Sequence, residues 1–445
     1  MKNYKEMKTL YRHISTRHSS IRHGLMMLWL LLAALLTACA DGSYSEEDEE
    51  PKPDNGPAVL CIYIYAPGQA VPTRANEGQV DADPEAENAI NTLQIWVFTH
   101  TTSKLVTYYK KSSFMQSAEN GLYTLELPID EAYASTPVGE REHVDVYVLA
   151  NVATGNCGMA FDETTPQATL ESAVLSGKYF GLSETPVTEV PVDGLPMSGV
   201  LRDQPVTNEK PILTLGTSSE EMAYVKLARA VSKVRFVFSC SEDFDGLKIV
   251  SIKFDEGKIP NEEYLFLSDP NNPYDYDQNR TNIKTSEGYN AAEISLSLPV
   301  FESVICADPA YYAWDRFVND ADKGWTPQKR AEEYEALINE GVTTTYEGEE
   351  HPRLTERRVY LRESDKRLSG TITYQFKEKD ADDWDDKTVP FSMVTSSDED
   401  TTPYFSRNHT WIVYSYLAWA KMNIVAVHIN DWEKAVEGEH TLYNW

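Results

Sequence analysis

The sequence contains many short runs rich in β-branched and aromatic residues, separated by turn-forming residues. Such runs predict strands, and their regular spacing is typical of β-sandwiches. Beyond residue 85 the predicted strands are 92–100, 104–110, 121–127, 144–150, 212–215, 225–238, 247–254, 293–298, 358–362, 370–376, 411–418 and 423–429. The predicted fold class is therefore mostly β, with a few short helices.

The domain organisation follows from length and polarity. A chain of 445 residues exceeds one ordinary domain, so two tandem β-sandwich domains are predicted. The polar stretch 216–221 places their boundary near residue 222, which gives domains 58–222 and 223–445. Helices are predicted at 165–177 and 326–341, because each segment opens with Thr-Pro and closes with Gly.

The charge limits the possible partners. The net charge of −30 opposes binding to nucleic acid or to an anionic membrane surface, because either phosphate-rich partner would be repelled. Apolar residues make up 41% of the chain, which is enough to build packed cores. We therefore expect a folded, acidic protein without nucleic-acid partners.

The N-terminus has the pattern of an export signal. A basic region precedes the apolar run 25–36, which is shorter than the roughly 20 residues needed to span a bilayer. The run ends in Leu36-Thr37-Ala38-Cys39, which matches the lipobox of bacterial lipoproteins. Segment 1–39 is therefore predicted to be a lipoprotein signal peptide, with Cys39 as the acylated residue. An ordinary signal peptide with a chance cysteine is the alternative.

An acidic, proline-containing stretch follows at 40–57 and predicts a flexible tether, since it cannot bury a core. Its acidic run also resembles the surface-export signal of Bacteroidetes lipoproteins, and a plain solvated linker would look the same. Segment 59–65 then alternates Leu60, Ile62 and Ile64 with Cys61 and two tyrosines. Both faces are apolar, which predicts a strand buried on both sides.

The sequence carries no recognisable catalytic constellation. The motifs HExxH, GxSxG, Walker A and GxGxxG are absent, and no two cysteines have CxxC spacing. We expect no enzyme activity, no catalytic residue, no cofactor and no metal site. The many tyrosines and tryptophans suit either a sugar-binding platform or, as their strand positions favour, core packing.

Two acidic segments are open to interpretation. Alternate oxygen side chains at Asp269, Asn271, Asp275 and Asp277 suit calcium, although the interrupting prolines favour a solvated turn. Segment 380–386 is predicted to be an acidic hairpin tip.

Six segments, in the same order along the chain, resemble the major fimbrial subunit (fimbrillin, type V pilin) family of Bacteroidetes. They are Asn-Ala-Ile-Asn-Thr-Leu-Gln-Ile-Trp-Val-Phe at 88–98, Val-Tyr-Val-Leu-Ala-Asn at 146–151, Leu-Pro-Met-Ser-Gly at 195–199, Leu-Ala-Arg-Ala-Val-Ser-Lys-Val-Arg at 227–235, Arg-Asn-His at 407–409 leading into 411–417, and Asp-Trp at 431–432. This resemblance implies two transthyretin-like sandwiches and a structural role in a surface pilus.

The resemblance also implies a maturation route. Members are lipid-anchored at the outer membrane and are then cut by an arginine-specific protease, here between Arg74 and Ala75, which removes segment 58–74. Loss of the strand containing Leu60, Ile62 and Ile64 leaves a groove, and a donor strand from a neighbouring subunit fills it. Here the donor strand is expected in the tail 433–445, through Leu442, Tyr443 and Trp445. A frayed terminus is the alternative for the tail.

The implied partners are other pilus subunits, the arginine-specific protease, the outer-membrane lipid anchor and, for adhesion, host or bacterial surface glycans or proteins. A stalk position is favoured by the presence of both Arg74 and the tail. The alternatives are an adhesive tip subunit, with 299–353 as an added surface, and a glycan-binding surface lipoprotein that does not polymerise.

Overall fold

The computed structural model describes residues 57–65, 85–114, 122–176, 180, 187–217, 223–241, 243–267, 283–296, 305, 343–346, 348–352, 355–393, 405, 407–418, 421–429 and 441–443. Across these residues the chain is mostly β, which confirms the predicted fold class. The helices are short: α1 (Glu85–Asn88), α2 (Glu131–Ala134), α3 (Thr154–Cys157), α4 (Gln167–Glu171) and two 3₁₀ turns at Val138–Glu140 and Thr285–Glu287.

The strands of the N-terminal half are β1 (Val59–Tyr65), β2 (Leu93–Thr99), β3 (Leu105–Lys111), β4 (Leu122–Pro128), β5 (Val144–Ala150), β6 (Val174–Ser176), β7 (Met197–Gln204), β8 (Val206–Thr207), β9 (Ile212–Leu215), β10 (Tyr224–Lys226) and β11 (Ala228–Arg229). One sheet has the order β10-β1-β9-β8, with β4 also paired to β1, and the other has the order β11-β7-β5-β2-β3. Their inner faces share one apolar core, so together they form the N-terminal sandwich.

The strands of the C-terminal half are β12 (Ser232–Cys240), β13 (Phe244–Phe254), β14 (Glu262–Tyr264), β15 (Ile294–Leu296), β16 (Thr343–Tyr346), β17 (Glu349–Pro352), β18 (Thr355–Leu361), β19 (Ser369–Glu378), β20 (Asp385–Ser392), β21 (Thr410–Ala418), β22 (Lys421–Ile429) and β23 (Thr441–Tyr443). The sheets β18-β12-β21-β22-β23 and β15-β13-β19-β20 form the C-terminal sandwich around a second core. Strands β12 and β21 are buried along their whole length, and the buried residues of β12 include Lys233 and Arg235.

Two predicted elements differ from the structure. The helix predicted at 165–177 ends at Glu171, because the chain then turns into β6 and pairs with β14 of the other half. The strand predicted at 225–238 is divided into β10, β11 and β12, which lie in three different sheets. The predicted helix at 326–341 lies outside the described residues, and the boundary near residue 222 stays a prediction.

The acidic hairpin tip is confirmed, since 379–384 join β19 to β20. Strands β7 and β20 were not predicted at all. The first contains Gly199, whose added Cβ would lie 2.6 Å from the Lys226 carbonyl oxygen, so its glycine marks a close approach between the sheets. The second is an edge strand whose first half is exposed and charged, apart from Thr388.

Candidate assembly site around the first strand

Strand β1 lies inside its sheet, with paired strands on both sides. Along one side it runs antiparallel to β4 over its whole length, from Val59 opposite Pro128 to Tyr65 opposite Leu122. Along the other side it runs parallel to two separate short strands. Its first half pairs with β9, and its second half pairs with β10. We call the space that β1 fills between these strands the β1 groove.

The inner face of β1 fills the core of the N-terminal sandwich. Leu60, Ile62 and Ile64 each have 0% of their surface exposed, and they pack in one cluster with Leu125 and Leu213. Burying each such side chain is worth about 1.5–3 kcal/mol. The three residues predicted to form the displaced strand therefore lie together on one face, against the opposite sheet.

The outer face of β1 is less covered than the sequence predicts. Cys61 is buried, and burial raises the pKa of its thiol. Tyr63 and Tyr65 are only partly buried, and the Tyr65 ring meets Tyr224 edge-on with 4.8 Å between ring centroids. Strand β1 is thus fully buried on its inner face and only partly covered on its outer face.

The two ends of the groove differ in how their walls are held. At the Val59 end, β9 is backed by β8, and the buried Arg141 guanidinium donates to the carbonyl oxygens of Asn208 (2.9 Å) and Ala134 (3.1 Å) around it. The Pro128 end of β4 is fixed by the Thr107 hydroxyl, which donates to the Pro128 carbonyl oxygen at 2.5 Å. At the Tyr65 end, the described part of the chain shows β10 pairing with no strand besides β1.

The chain just beyond the predicted cleavage loop is fixed to the C-terminal sandwich. Glu87 in α1 has 0% exposure, and its carboxylate accepts from Lys233 Nζ at 2.8 Å and from the Tyr360 hydroxyl. Arg358 Nη1 lies 3.4 Å from the same carboxylate. Burial, followed by the Glu87 charge, raises the pKa of Tyr360, so this phenol stays a hydrogen-bond donor at neutral pH.

Arg229 also belongs to this cluster. It lies on β11, the strand that directly follows β10 at the wall of the β1 groove. Its buried guanidinium donates from Nε to the Glu87 carbonyl oxygen (3.2 Å) and from Nη1 to Asn408 Oδ1 (3.1 Å). We call Glu87, Arg229, Lys233 and Tyr360 the joint cluster. Because these side chains come from both sandwiches, the cluster holds the two together independently of β1.

A second buried charged group lies between the sandwiches. The Arg407 guanidinium donates to Glu363 Oε1 at 2.6 Å and to the Leu265 carbonyl oxygen at 2.8 Å. Glu263 has 0% exposure and lies beside this pair, with Arg407 Nη2 at 3.9 Å from its Oε2. Burial raises the pKa of Glu263 to about 8, against the opposing effect of Arg407.

The other predicted site residues are placed as follows. Cys39, Arg74, Ala75, Trp445 and segment 269–277 lie outside the described residues. Leu442 and Tyr443 belong to β23, whose backbone pairs antiparallel with β22. The tail was expected to lie beyond the last strand of its own domain. Instead, three of its residues form the edge of its own sheet.

The joint cluster was not located by sequence analysis. A single glutamate in a polar segment and one arginine or lysine in a strand look like surface residues. The one signal was that the sequence from Leu227 to Arg235 places three basic residues in an otherwise apolar strand. Basic residues are rarely buried in such a run unless paired, so a carboxylate partner was implied but not located.

Other functional features are absent from the described residues. No group of three or more histidine, cysteine and acidic residues is arranged to hold a metal ion there. No helix in the described ranges is both long and apolar enough to cross a membrane.

The comparison with known families identifies the class of protein. Residues 64–228 match the family described as major fimbrial subunit protein (FimA). The match begins inside β1 and ends at β11, so it spans most of the N-terminal sandwich and less than half of the chain. It confirms the resemblance seen in the sequence motifs, and within residues 64–228 the chain is similar to the fimbrillin family. No curated protein sequence matches the chain.

Solved structures to which the chain is similar include three fimbrial proteins. They include the tip fimbrial protein Mfa3 from Porphyromonas gingivalis, with C-terminal truncation, and a fimbrial assembly protein from Parabacteroides distasonis. Each is 11% identical, covers 87% of this chain and 99% of its own, and has a TM-score of 0.38. A fimbrial protein from Bacteroides vulgatus is 10% identical, covers 87% and 99%, and has a TM-score of 0.37.

The family is one of structural subunits of surface fimbriae and not an enzyme family. It implies a place at the cell surface with other pilus subunits as partners.

Proposed function

We propose that this chain is a pilus subunit that is exported as a lipoprotein through Cys39, activated by cleavage after Arg74 and polymerised by donor-strand exchange. The observation that carries the proposal is the position of β1. It is a central strand of its sheet, and the predicted cleavage position, Arg74, lies in the sequence between its last residue, Tyr65, and α1.

Removing β1 has a large structural cost, and this cost is the driving force in the proposal. Without β1, the strand β4 loses its pairing over the whole length of β1. The strands β9 and β10 lose their pairing with β1 as well. It also uncovers the core that Leu60, Ile62 and Ile64 fill. Exposed backbone groups and apolar surface both favour the binding of another extended strand.

The tail is proposed as the donor. In an extended donor strand, adjacent residues point to opposite faces, so Leu442 would fill one side of a neighbour's groove and Tyr443 and Trp445 the other. In the described part of the tail, the pairing with β22 covers the three residues Thr441–Tyr443. So short a pairing is a small obstacle to the transfer of this segment to a neighbouring subunit.

The test compares the intact and cleaved chain by electron microscopy and gel filtration. We expect the uncut chain to stay monomeric and the chain cut at Arg74 to form filaments. Arg74→Ala should resist an arginine-specific protease and remain monomeric, whereas Arg353→Ala, outside the cleavage loop, should behave as the parent chain. Equal polymerisation of cut and uncut protein would contradict donor-strand assembly.

A further inference from the structure

The two ends of the β1 groove differ in the contacts that their walls make without β1. We call the Val59 end the firm end and the Tyr65 end the loose end. At the Val59 end both walls have contacts that do not involve β1. Strand β9 is paired with β8, and the Thr107 hydroxyl on β3 donates to the Pro128 carbonyl oxygen at the end of β4. The backbone groups that face the β1 segment there are the Pro211 carbonyl oxygen, which accepts from the Val59 N–H at 2.9 Å, and the Ile129 N–H, which donates to the Ala58 carbonyl oxygen at 3.2 Å. An arriving strand therefore meets two walls whose backbone groups are already in position.

At the Tyr65 end one wall depends on β1 itself. Tyr224–Lys226 pairs with no other strand in the part of the chain that the structure describes, and the Leu227 N–H donates to the Tyr65 carbonyl oxygen at 2.9 Å. The chain then leaves this sheet, since the following strand, β11, pairs with β7. When β1 is absent, β10 keeps only the anchors of its flanking residues among those described: the Ala223 N–H donates to the Leu215 carbonyl oxygen at 2.9 Å, and β11 pairs with β7. The residues Tyr224–Lys226 themselves lose their strand partner.

One contact limits how far β10 can move. Val225 is fully buried and packs against β7 at Gly199, where an added Cβ would lie 2.6 Å from Val225 Cγ1. This contact keeps the side chain of β10 near the core. It does not supply new hydrogen-bond partners for the backbone groups of β10 that had paired with β1. Without β1, we therefore expect β10 to become locally more mobile while the sandwich stays folded.

We propose that a strand entering the β1 groove docks first at the Val59 end, between β4 and β9, and closes last at the Tyr65 end, where it restores the order of β10. This inference rests on the proposed donor-strand function and adds to it the direction of strand entry. The physical reason is entropic. Pairing with preformed walls fixes only the incoming chain, whereas pairing with β10 must order both chains.

The direction has a kinetic consequence. Contacts that form early determine the association rate, and contacts that form late affect mainly the dissociation rate. Leu60 lies opposite Leu127 and Leu213 at the firm end, and Ile64 lies opposite Tyr123 and Val225 at the loose end. Both side chains are 0% exposed, which makes them a matched pair for the test.

The probe is a synthetic peptide with the sequence of residues 57–66, labelled with a fluorophore and carrying Cys61→Ser. The protein is the full chain cut after Arg74 and freed of its N-terminal fragment in dilute denaturant. Stopped-flow association and dissociation rates are measured for the parent peptide and for the Leu60→Ala and Ile64→Ala peptides. Hydrogen exchange of residues 224–227 is followed with and without peptide.

We expect Leu60→Ala to slow association by about tenfold or more, and Ile64→Ala to leave association within about twofold and to speed dissociation. Residues 224–227 should exchange faster in the empty protein and be protected again by the parent peptide. Equal effects of the two substitutions on association, or a larger effect of Ile64→Ala, would overturn the direction of entry. A peptide that does not bind at all would refute the proposed function and this inference together.

Discussion

The substitution Ile62→Ala isolates the contribution of β1 to the stability of the protein before and after cleavage. Ile62 is 0% exposed, lies at the centre of the strand opposite Leu125, and packs in the core of the N-terminal sandwich. Truncating a fully buried isoleucine to alanine costs about 2–5 kcal/mol, since the lost burial is accompanied by a cavity. The uncut chain should therefore unfold more easily by that amount.

After cleavage and removal of the N-terminal fragment, Ile62 is no longer part of the molecule. The same substitution should then leave the free energy of unfolding of the cut protein unchanged. Leu125→Ala is the matched control, because Leu125 lies on β4 in the same core and stays in the protein after cleavage. It should destabilise both forms.

The measurement is chemical unfolding of the N-terminal sandwich, followed by tryptophan fluorescence, with Trp96 buried beside this region as a reporter. The comparison requires four proteins, each uncut and cut: the parent, Ile62→Ala, Leu125→Ala and the outer-face control Tyr63→Thr. If Ile62→Ala destabilises the cut and purified form as much as the uncut form, the strand has not left. The reasoning about a removable β1 would then be wrong.

Three further predictions concern the lipid anchor, the tail and the buried charges. Cys39→Ser should abolish labelling by radioactive palmitate and remove the protein from the outer-membrane fraction. Deleting 441–445 should abolish filaments yet keep the fold, measured by circular dichroism, and the truncated subunit should shorten filaments when mixed with the parent. Because burial raises the pKa of Glu263 to about 8, the folded chain keeps a proton that the unfolded chain loses near pH 4.5. The midpoint of thermal unfolding should therefore fall as pH rises from about 4.5 to 8, and Glu263→Gln should flatten that slope.

Sequence analysis located well those strands whose apolar residues follow one another in the sequence. Strands β5 and β9 have the predicted bounds, because a continuous apolar run between turn residues leaves few other interpretations. The same reasoning predicted β1 with its observed bounds, and it placed Leu60, Ile62 and Ile64 on one face of the strand. These features depend on residues that are adjacent in sequence, so a single sequence contains them.

The features that were missed depend on contacts between distant parts of the chain. The helix predicted after Thr165 stops early because β6 finds a partner in β14, far along the sequence. One wall of the groove is divided between β9 and β10, which both pair in parallel with β1. Neither strand has a sequence pattern that would predict this shared pairing. Glu87 and Lys233 form their ion pair across the two sandwiches, and no spacing rule connects them.

The position of the joint cluster bears on whether the fold could keep its structure after the proposed loss of β1. Strand β2 follows the cleavage loop closely, and its entry is held without β1, because Asn151 Oδ1 accepts hydrogen bonds from Asn91 N–H (2.7 Å) and Thr92 N–H (3.2 Å). Glu87, a few residues earlier, is bonded to Lys233 in the C-terminal sandwich. A buried ion pair of this kind costs about 3–5 kcal/mol to break, so the chain beyond the loop stays in place when the strand before it leaves.

The described segments on the two sides of Arg74 therefore have different anchors. The segment before it is held in the β1 groove, through backbone pairing and the aliphatic side chains of Leu60, Ile62 and Ile64. The segment after it is held by specific polar contacts to residues in both sandwiches, which no donor strand could supply. The proposed cleavage after Arg74 would thus release the first segment alone. A subunit that exchanges one strand, as proposed here, needs this difference between the two anchors.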